Sequence, residues 1–237
     1  MDKTSDPGRL GAESGGWPAA DPDGLPVRFT STEARPLPHE FTPVLEGAAI
    51  RLEPMQEGHL DALCEIGLDP QISRLMPVPF ASRSHMASYI RHALAARRAL
   101  SAIPFVTVLK TGEGGPRIVG ATRFLNIEAG SRRMEIGSTW IGKQWQRTRV
   151  NTEAKYLMLR HAFEDLQCIR IELKTDSLNE TSRRAILRIG AVEEGVLRNA
   201  VITSEGRIRH TVLFSIAAFE WPDVKRRLEG MLRQDLR

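Results

Sequence analysis

Between Gly142 and Glu153 the chain carries Gln146, Arg147, Thr148, Arg149, Asn151 and Thr152, and no carboxylate. Upstream, Met134 to Ile141 has the β-branched and aromatic content of a strand, through Ile136 and the Ser138-Thr139-Trp140-Ile141 run, and Gly142 ends it. Downstream, Ala154, Leu157, Met158, His161 and Ala162 fall at helical spacing, with Phe163 beside them. Asn151 or Thr152 is the expected N-cap, and Glu153 places an acid in the first turn. A cation-rich loop feeding a helix N-terminus suits an anion, because unpaired N–H groups and the helix dipole converge there. The chemistry to expect at this loop is the binding of a phosphate-bearing ligand.

Other reactive side chains are sparse. Glu135 opens the strand, where its carboxylate is a general base, a surface strand-end group or an ion-pair partner of Arg132 or Arg133. His161 lies among apolar helix positions and reads as packing. His210, between Arg209 and Thr211, could face an acceptor cleft. Cys64 and Cys168 read as core residues rather than as a disulfide framework. No His, Cys and carboxylate set has metal-ligand spacing, so no metal is expected. Lys225, Arg226 and Arg227 read as a solvated helix face.

These residues need a frame to position them. Residues 1–42 carry turn and breaker signals without periodicity, such as Asp6-Pro7-Gly8 and Asp21-Pro22-Asp23-Gly24, and are expected to be disordered or extended. Residues 43–237 are expected to form one domain. In it, strands are expected at Ala49–Pro54, Phe105–Leu109, Arg117–Phe124, Met134–Ile141, Arg170–Thr175, Ala191–Arg198 and Arg209–Ile216. Helices are expected at His59–Ile66, Ser84–Leu100, the segment before Phe163, Thr181–Ile189 and Trp221–Leu232. This order is a mixed α/β sandwich about one sheet. The helix between Ile141 and Arg170 makes its two flanking strands parallel neighbours.

The 237 residues carry a net charge of +4, which fits an Arg-rich solvated surface better than a specific nucleic-acid binder with clustered patches. Aromatic content of 6% argues against an extended base-stacking platform. No apolar run is long enough to span a bilayer, the N-terminus lacks a signal-peptide apolar region, and a cytoplasmic location is the expectation.

In order and spacing, Val44 to Leu228 resembles the GNAT N-acetyltransferase superfamily, and within it the branch of the ribosomal-protein-alanine N-acetyltransferases. Four features carry the resemblance: Leu45-Glu46-Gly47 to Arg51-Leu52-Glu53-Pro54; Glu135-Ile136-Gly137 with Trp145 to Thr152-Glu153-Ala154; Asn179-x-x-Ser182 before Ile189-Gly190-Ala191; and Glu194-Gly195-Val196-Leu197-Arg198.

The resemblance implies a mostly antiparallel sheet with helices on both faces and a central parallel pair splayed to hold acetyl-CoA. It implies transfer of acetyl to a primary amine, on a protein N-terminus or a small molecule. Cofactor contacts would come from Thr139, Trp140, Ile141, Gln146, Arg147, Thr148, Arg149, Val150, Asn151, Thr152, Asn179 and Arg183. A backbone N–H near Trp140 would serve the carbonyl oxygen, and Glu135 would be the base. The superfamily's usual tyrosine acid would fall at Ile186, so Ser182 is the expected substitute; the alternative is a helix-start serine bonding its own backbone.

The pyrophosphate loop departs from the usual Gln/Arg-x-x-Gly-x-Gly/Ala, reading Gln146-x-x-Arg149-x-Asn151. Arg149 either replaces part of the backbone cradle with charge-assisted hydrogen bonds or blocks close approach. A non-catalytic acyl-CoA-binding or interaction module on the same fold is the alternative function. A homodimer is compatible with the sequence.

Overall fold

The computed structural model describes residues 43–110 and 114–234. They fall in one compact unit, Ala34–Arg237; the segment 1–42, expected to be disordered or extended, lies outside the described residues. Eight strands form one sheet: β1 (Leu45–Glu46), β2 (Ile50–Pro54), β3 (Ala102–Leu109), β4 (Arg117–Glu128), β5 (Arg133–Ile141), β6 (Arg170–Asp176), β7 (Val192–Ile202) and β8 (Ile208–Ala217). Their order is β1-β2-β3-β4-β5-β6-β8-β7. Every pairing is antiparallel except β5 with β6. The expected parallel pair is therefore present, and its crossover is α4 (Arg149–Arg160), whose chain continues into a wider π turn over His161–Asp165.

The remaining helices are α1 (Leu60–Gly67), α2 (Pro70–Ser73), α3 (Arg83–Arg98), α5 (Glu180–Arg188) and α6 (Trp221–Gln234). α2 has no counterpart in the sequence expectation: it is a single turn held by Asp69 Oδ1, which accepts from the Gln71 N–H at 2.9 Å. β4 runs four residues beyond Phe124, because Leu125 and Glu128 still find partners in Glu135 and Arg133 of β5. β7 and β8 likewise extend to Ile202 and from Ile208, so the long loop expected between Arg198 and Arg209 shrinks to residues 203–207.

Two apolar layers cover the sheet. On one face Leu157, Met158 and Leu159 of α4 and Trp221, Val224 and Leu228 of α6 pack on Met134, Ile136, Ile171, Leu173, Val212 and Phe214. On the other, Leu63, Phe80, Met86 and Ile90 pack on Val106, Val108, Ala121 and Trp140. Strand alternation fixes which side chains face which layer. With Met134, Ile136, Leu173 and Phe214 toward α4, residues Glu135 and Lys174 point to the opposite face. That second layer stops at β5. Beyond it, the same face of β6 and β8 carries Glu172, Lys174, Asp176, Thr211 and Ser215 with Leu213 among them, a largely polar trough. Among the described residues no helix is long and apolar enough to cross a membrane.

Candidate active site

The site starts where β5 and β6 part. Their register contains only Arg133↔Arg170, Met134↔Ile171 and Glu135↔Glu172. Past Glu135, β5 keeps its pairing with β4 but follows β6 no further. A bulge causes the divergence: Arg123 pairs with Gly137 and Ala121 with Trp140, so Ser138 and Thr139 together oppose Thr122. Ser138 takes φ +46°, a left-handed conformation that non-glycine residues hold only where neighbours impose it. The neighbour is Tyr89 of α3. Its hydroxyl donates to the Ser138 carbonyl at 3.4 Å and accepts from Trp140 Nε1 at 3.3 Å, while the Arg123 guanidinium lies 4.6 Å from its ring centroid. Gly120 allows the close approach of β4, since a Cβ there would sit 2.3 Å from the Trp140 carbonyl oxygen.

The mouth of the divergence is the N-terminus of α4. The helix begins at Arg149, two or more residues before the expected caps Asn151 and Thr152, and its N-cap is Thr148. Thr148 Oγ1 accepts from the Val150 N–H at 3.3 Å and donates to the Trp145 carbonyl at 2.7 Å. An extended Thr148 after Arg147 at φ +61° turns the chain into the helix one turn early. Gln146, Arg147 and Thr148 are exposed, and Asn151 is half-buried. Arg149 folds back: its Nε lies 3.4 Å from Glu153 Oε2, and the buried Glu153 accepts from the Ala49 N–H at 3.0 Å through Oε1. The acid of the first turn therefore faces β2, away from the loop. Thr152 is fully buried and accepts from Arg188 of α5 at 2.8 Å, and Val150 is core. With exposed donors, a helix N-terminus and the first-turn carboxylate of Glu153 turned inward, this loop has the features of an anion site.

At the apex, Glu135 is buried, and its Oε2 accepts from Asn126 Nδ2 and Lys174 Nζ, each at 2.9 Å. Its partners are thus Asn126 and Lys174 rather than Arg132 or Arg133; Arg133 pairs with Glu128 at 2.5 Å. Lys174 also meets Glu172 at 2.9 Å. Burial works to lower the Lys174 pKa, but its hydrogen bonds to Glu172 and Glu135 outweigh that and hold it above the ordinary lysine value. Further along the trough Asp176 accepts from Arg207 and from the Leu178 N–H, and Arg209 Nε lies 3.8 Å away. Burial alone would raise the Asp176 pKa, yet the Arg207 bond and the Leu178 N–H keep it below the usual carboxylate range. Arg123 Nε, Arg209 Nε and Thr211 Oγ1, all on this face, are buried without a hydrogen-bond partner.

On the α4 side, Thr139 Oγ1 shares a hydrogen bond with Thr122 Oγ1 at 2.8 Å and accepts from Lys155 Nζ at 2.7 Å. Lys155 is buried, and burial pushes its pKa down to about 7, with the Glu135 charge opposing that shift. Sequence reasoning passed over this lysine. The available signal was its spacing, three before Met158 and seven before Ala162, inside the apolar stripe of the helix. Tyr89, Lys174, Asn126, Arg207 and Arg209 were also passed over, and only the fold brings them to the site.

Other expected residues take these places. The Trp140 and Ile141 side chains are core, so only their backbone borders the divergence. Asn179 caps α5, its Oδ1 accepting from the Ser182 N–H at 3.0 Å; that bond uses the Ser182 backbone and not its hydroxyl. Arg183 pairs with Glu193 at 3.3 Å. His161 bonds Asp165 at 2.6 Å and packs near Phe124, while His210 is exposed and its Nδ1 accepts from the Asn199 N–H at 2.9 Å. Cys168 is core, its thiol pushed up to about 12 by burial. Among the described residues no group of three or more His, Cys, Asp or Glu side chains could hold a metal ion.

The family model described as "Acetyltransferase (GNAT) domain" matches residues 49–192. YdaF of Bacillus subtilis (strain 168), whose name as a ribosomal N-acetyltransferase is itself provisional, is 31% identical over 108 residues, 46% of this chain. The match spans 58% of that relative's length, less than two thirds. Among solved structures, a provisionally assigned acetyltransferase from T. thermophilus superposes with a TM-score of 0.73 at 32% identity, covering 81% of this chain and 98% of its own. Mycobacterium smegmatis RimJ in complex with CoA-disulfide superposes at 0.65 with 26% identity, covering 78% of this chain and 90% of its own.

Proposed function

This chain belongs to the GNAT acetyltransferase family, and on that ground we propose that it is an acetyl-CoA-dependent N-acetyltransferase acting on a primary amine. The observation that carries the reading is the parting of β5 and β6 after Glu135, with the cap of α4 at its mouth. A strand edge that leaves its neighbour offers backbone N–H and C=O groups to an extended ligand. The pantetheine arm supplies that ligand, the thioester supplies the acetyl group, and Gln146, Arg147, Thr148 and the α4 backbone receive the pyrophosphate.

The acceptor enters from the trough that holds Glu135. An amine attacks only when neutral, and Glu135 takes its proton; Asn126 and Lys174 hold the carboxylate in place. A backbone N–H of β5 near Trp140 meets the negative charge that develops on the carbonyl oxygen. The Nε atoms of Arg123 and of Arg209, the latter paired at longer range with Asp176, are buried without a hydrogen bond and suit an acceptor carrying carbonyl or carboxylate oxygens near its amine. A peptide N-terminus has that chemistry, and the name of YdaF as a ribosomal N-acetyltransferase makes ribosomal-protein amino groups the first acceptors to try.

Calorimetric titration of acetyl-CoA tests the reading, beside Arg147→Glu, an exposed position where charge reversal leaves the core untouched. Micromolar binding that weakens roughly tenfold in the variant is expected from the loss of one charge-assisted contact and an added repulsion. Absence of binding at millimolar acetyl-CoA would sink it. Binding without turnover by peptides bearing a free α-amino group or by small primary amines would favour the non-catalytic module.

A further inference from the structure

Lys155 is a buried ammonium in contact with no carboxylate among the described residues. Its one hydrogen bond there is to Thr139 Oγ1 at 2.7 Å. An ammonium has three N–H donors, so two remain to be used. Burying such a group among apolar side chains is costly, and folds retain it where it has a task. Its place is informative. Thr139 belongs to the stretch of β5 that has left β6, and Lys155 reaches it from α4, whereas Glu135 projects from the opposite face of the sheet. The other proton donor at the bulge, Tyr89, already gives its hydroxyl proton to the Ser138 carbonyl.

We propose that Lys155 is the acid of the transfer, giving a proton to the departing thioester sulfur on the α4 face while Glu135 takes one from the amine on the other. This rests on the acetyl-transfer reading above. The balance is complete within the site. The amine nitrogen forms the C–N bond and yields its proton to Glu135. The C–S bond breaks, its electron pair goes to sulfur, and the Lys155 proton completes the thiol. Glu135 then returns a proton to Lys155 through solvent, restoring both groups. The role replaces the tyrosine acid, whose register holds Ile186, a core side chain. No charged group of β1, β2, the π turn or α6, the elements packed against α4, acts on the Lys155 amine, whereas Glu135 of β5 does, so its titration follows its burial first and that carboxylate second.

The first experiment needs no acceptor. CoA and desulfo-CoA are titrated at pH 8 into wild type, Lys155→Met and Lys155→Arg. At pH 8 most of the free Lys155 is neutral; a bound thiol can hand it a proton, and the resulting ammonium–thiolate pair, which desulfo-CoA cannot form, is expected to favour CoA about tenfold. Wild type is expected to prefer CoA about tenfold and Lys155→Met to lose most of that preference. Lys155→Arg keeps the charge and is expected to keep the preference, which guards against a fold defect in the Met variant. Equal preference in wild type and Lys155→Met overturns the proposal, as does a wild type indifferent to the sulfur. A wild type that binds neither ligand fails at the acetyl-transfer reading itself and takes this proposal with it. Next, kcat is followed against pH with acetyl-CoA and a peptide bearing a free α-amino group. Wild type is expected to lose rate on the alkaline side as Lys155 deprotonates. Lys155→Met should be slower by roughly 10²–10⁴-fold and lack that limb. An unchanged kcat, or a slower enzyme with an unchanged profile, shows a structural lysine and overturns the assignment.

Discussion

Replacing Lys155 by methionine should stabilise the protein, and by an amount that depends on pH. Lysine and methionine have similar length and volume, so the swap opens little cavity and removes one buried ammonium. The folded-state pKa is about 7, against an ordinary value of 10.5. Above the ordinary value the side chain is neutral folded and unfolded, and its charging contributes nothing to the difference. As pH falls from there toward 7, the unfolded chain takes up a proton that the folded chain refuses, so stability drops by about 1.4 kcal/mol per pH unit. Below 7 both forms are charged and the cost levels off, on the order of 5 kcal/mol across the full shift. The methionine variant has no such slope. Its stability advantage over wild type should therefore shrink by about 2 kcal/mol between pH 7 and pH 9. Loss of the Thr139 hydrogen bond subtracts about 1 kcal/mol at every pH and leaves the slope intact. Urea unfolding of both proteins at several pH values, without CoA, measures it. For a chain of this size the change amounts to roughly 4–8 °C in relative Tm. Parallel stability curves would refute the reasoning, because they would mean that the buried lysine keeps its solution pKa.

Glu153→Ala removes the acceptor of the Ala49 N–H and strands Arg149, and should cost about 3–5 kcal/mol, read by denaturant unfolding; a loss below about 1 kcal/mol would mean the Arg149 pair is slack. Asn179→Ala should cost about 1 kcal/mol through the lost α5 cap, whereas Ser182→Ala should be near neutral, since only its backbone is engaged; thermal melts of both variants test the contrast. Gly137→Ala brings a Cβ to 2.8 Å from Glu135 Oε1, so the carboxylate must move; kcat should fall at least tenfold with acetyl-CoA affinity unchanged, and an unaltered kcat would take Glu135 out of the proton path.

Local pattern was enough for most elements. β6 alternates apolar and polar residues, and Ile171 and Leu173 are buried while Glu172 and Lys174 are not, because a strand with one covered face writes its period into the chain. The α4 stripe is legible for the same reason at helical period. Boundaries were less so. The early start of α4 depends on Thr148 bonding two backbone groups in a turn set by Arg147 at positive φ, which no composition signal announces. The extension of β7 and β8 depends on their pairing with each other rather than on propensity. Among site residues, the loop from Gln146 to Thr148 was readable as a cation-rich run. The partner of Arg149 was not, since Glu153 had to be turned toward β2 by the Ala49 N–H.

The order of most strands and helices, the parallel pair at the centre and the cation-rich loop before α4 could all be read along the chain, because each is set by residues near one another in it. Packing supplied the rest. Lys155 became a buried ammonium only when α4 was laid against β5, sixteen residues from Thr139. Glu135 gained Asn126 and Lys174, and Ser138 gained Tyr89 from 49 residues away, only through contacts across the fold. Burial and proximity across the sheet set those groups' charge and orientation, and neither is a property of any local stretch of chain.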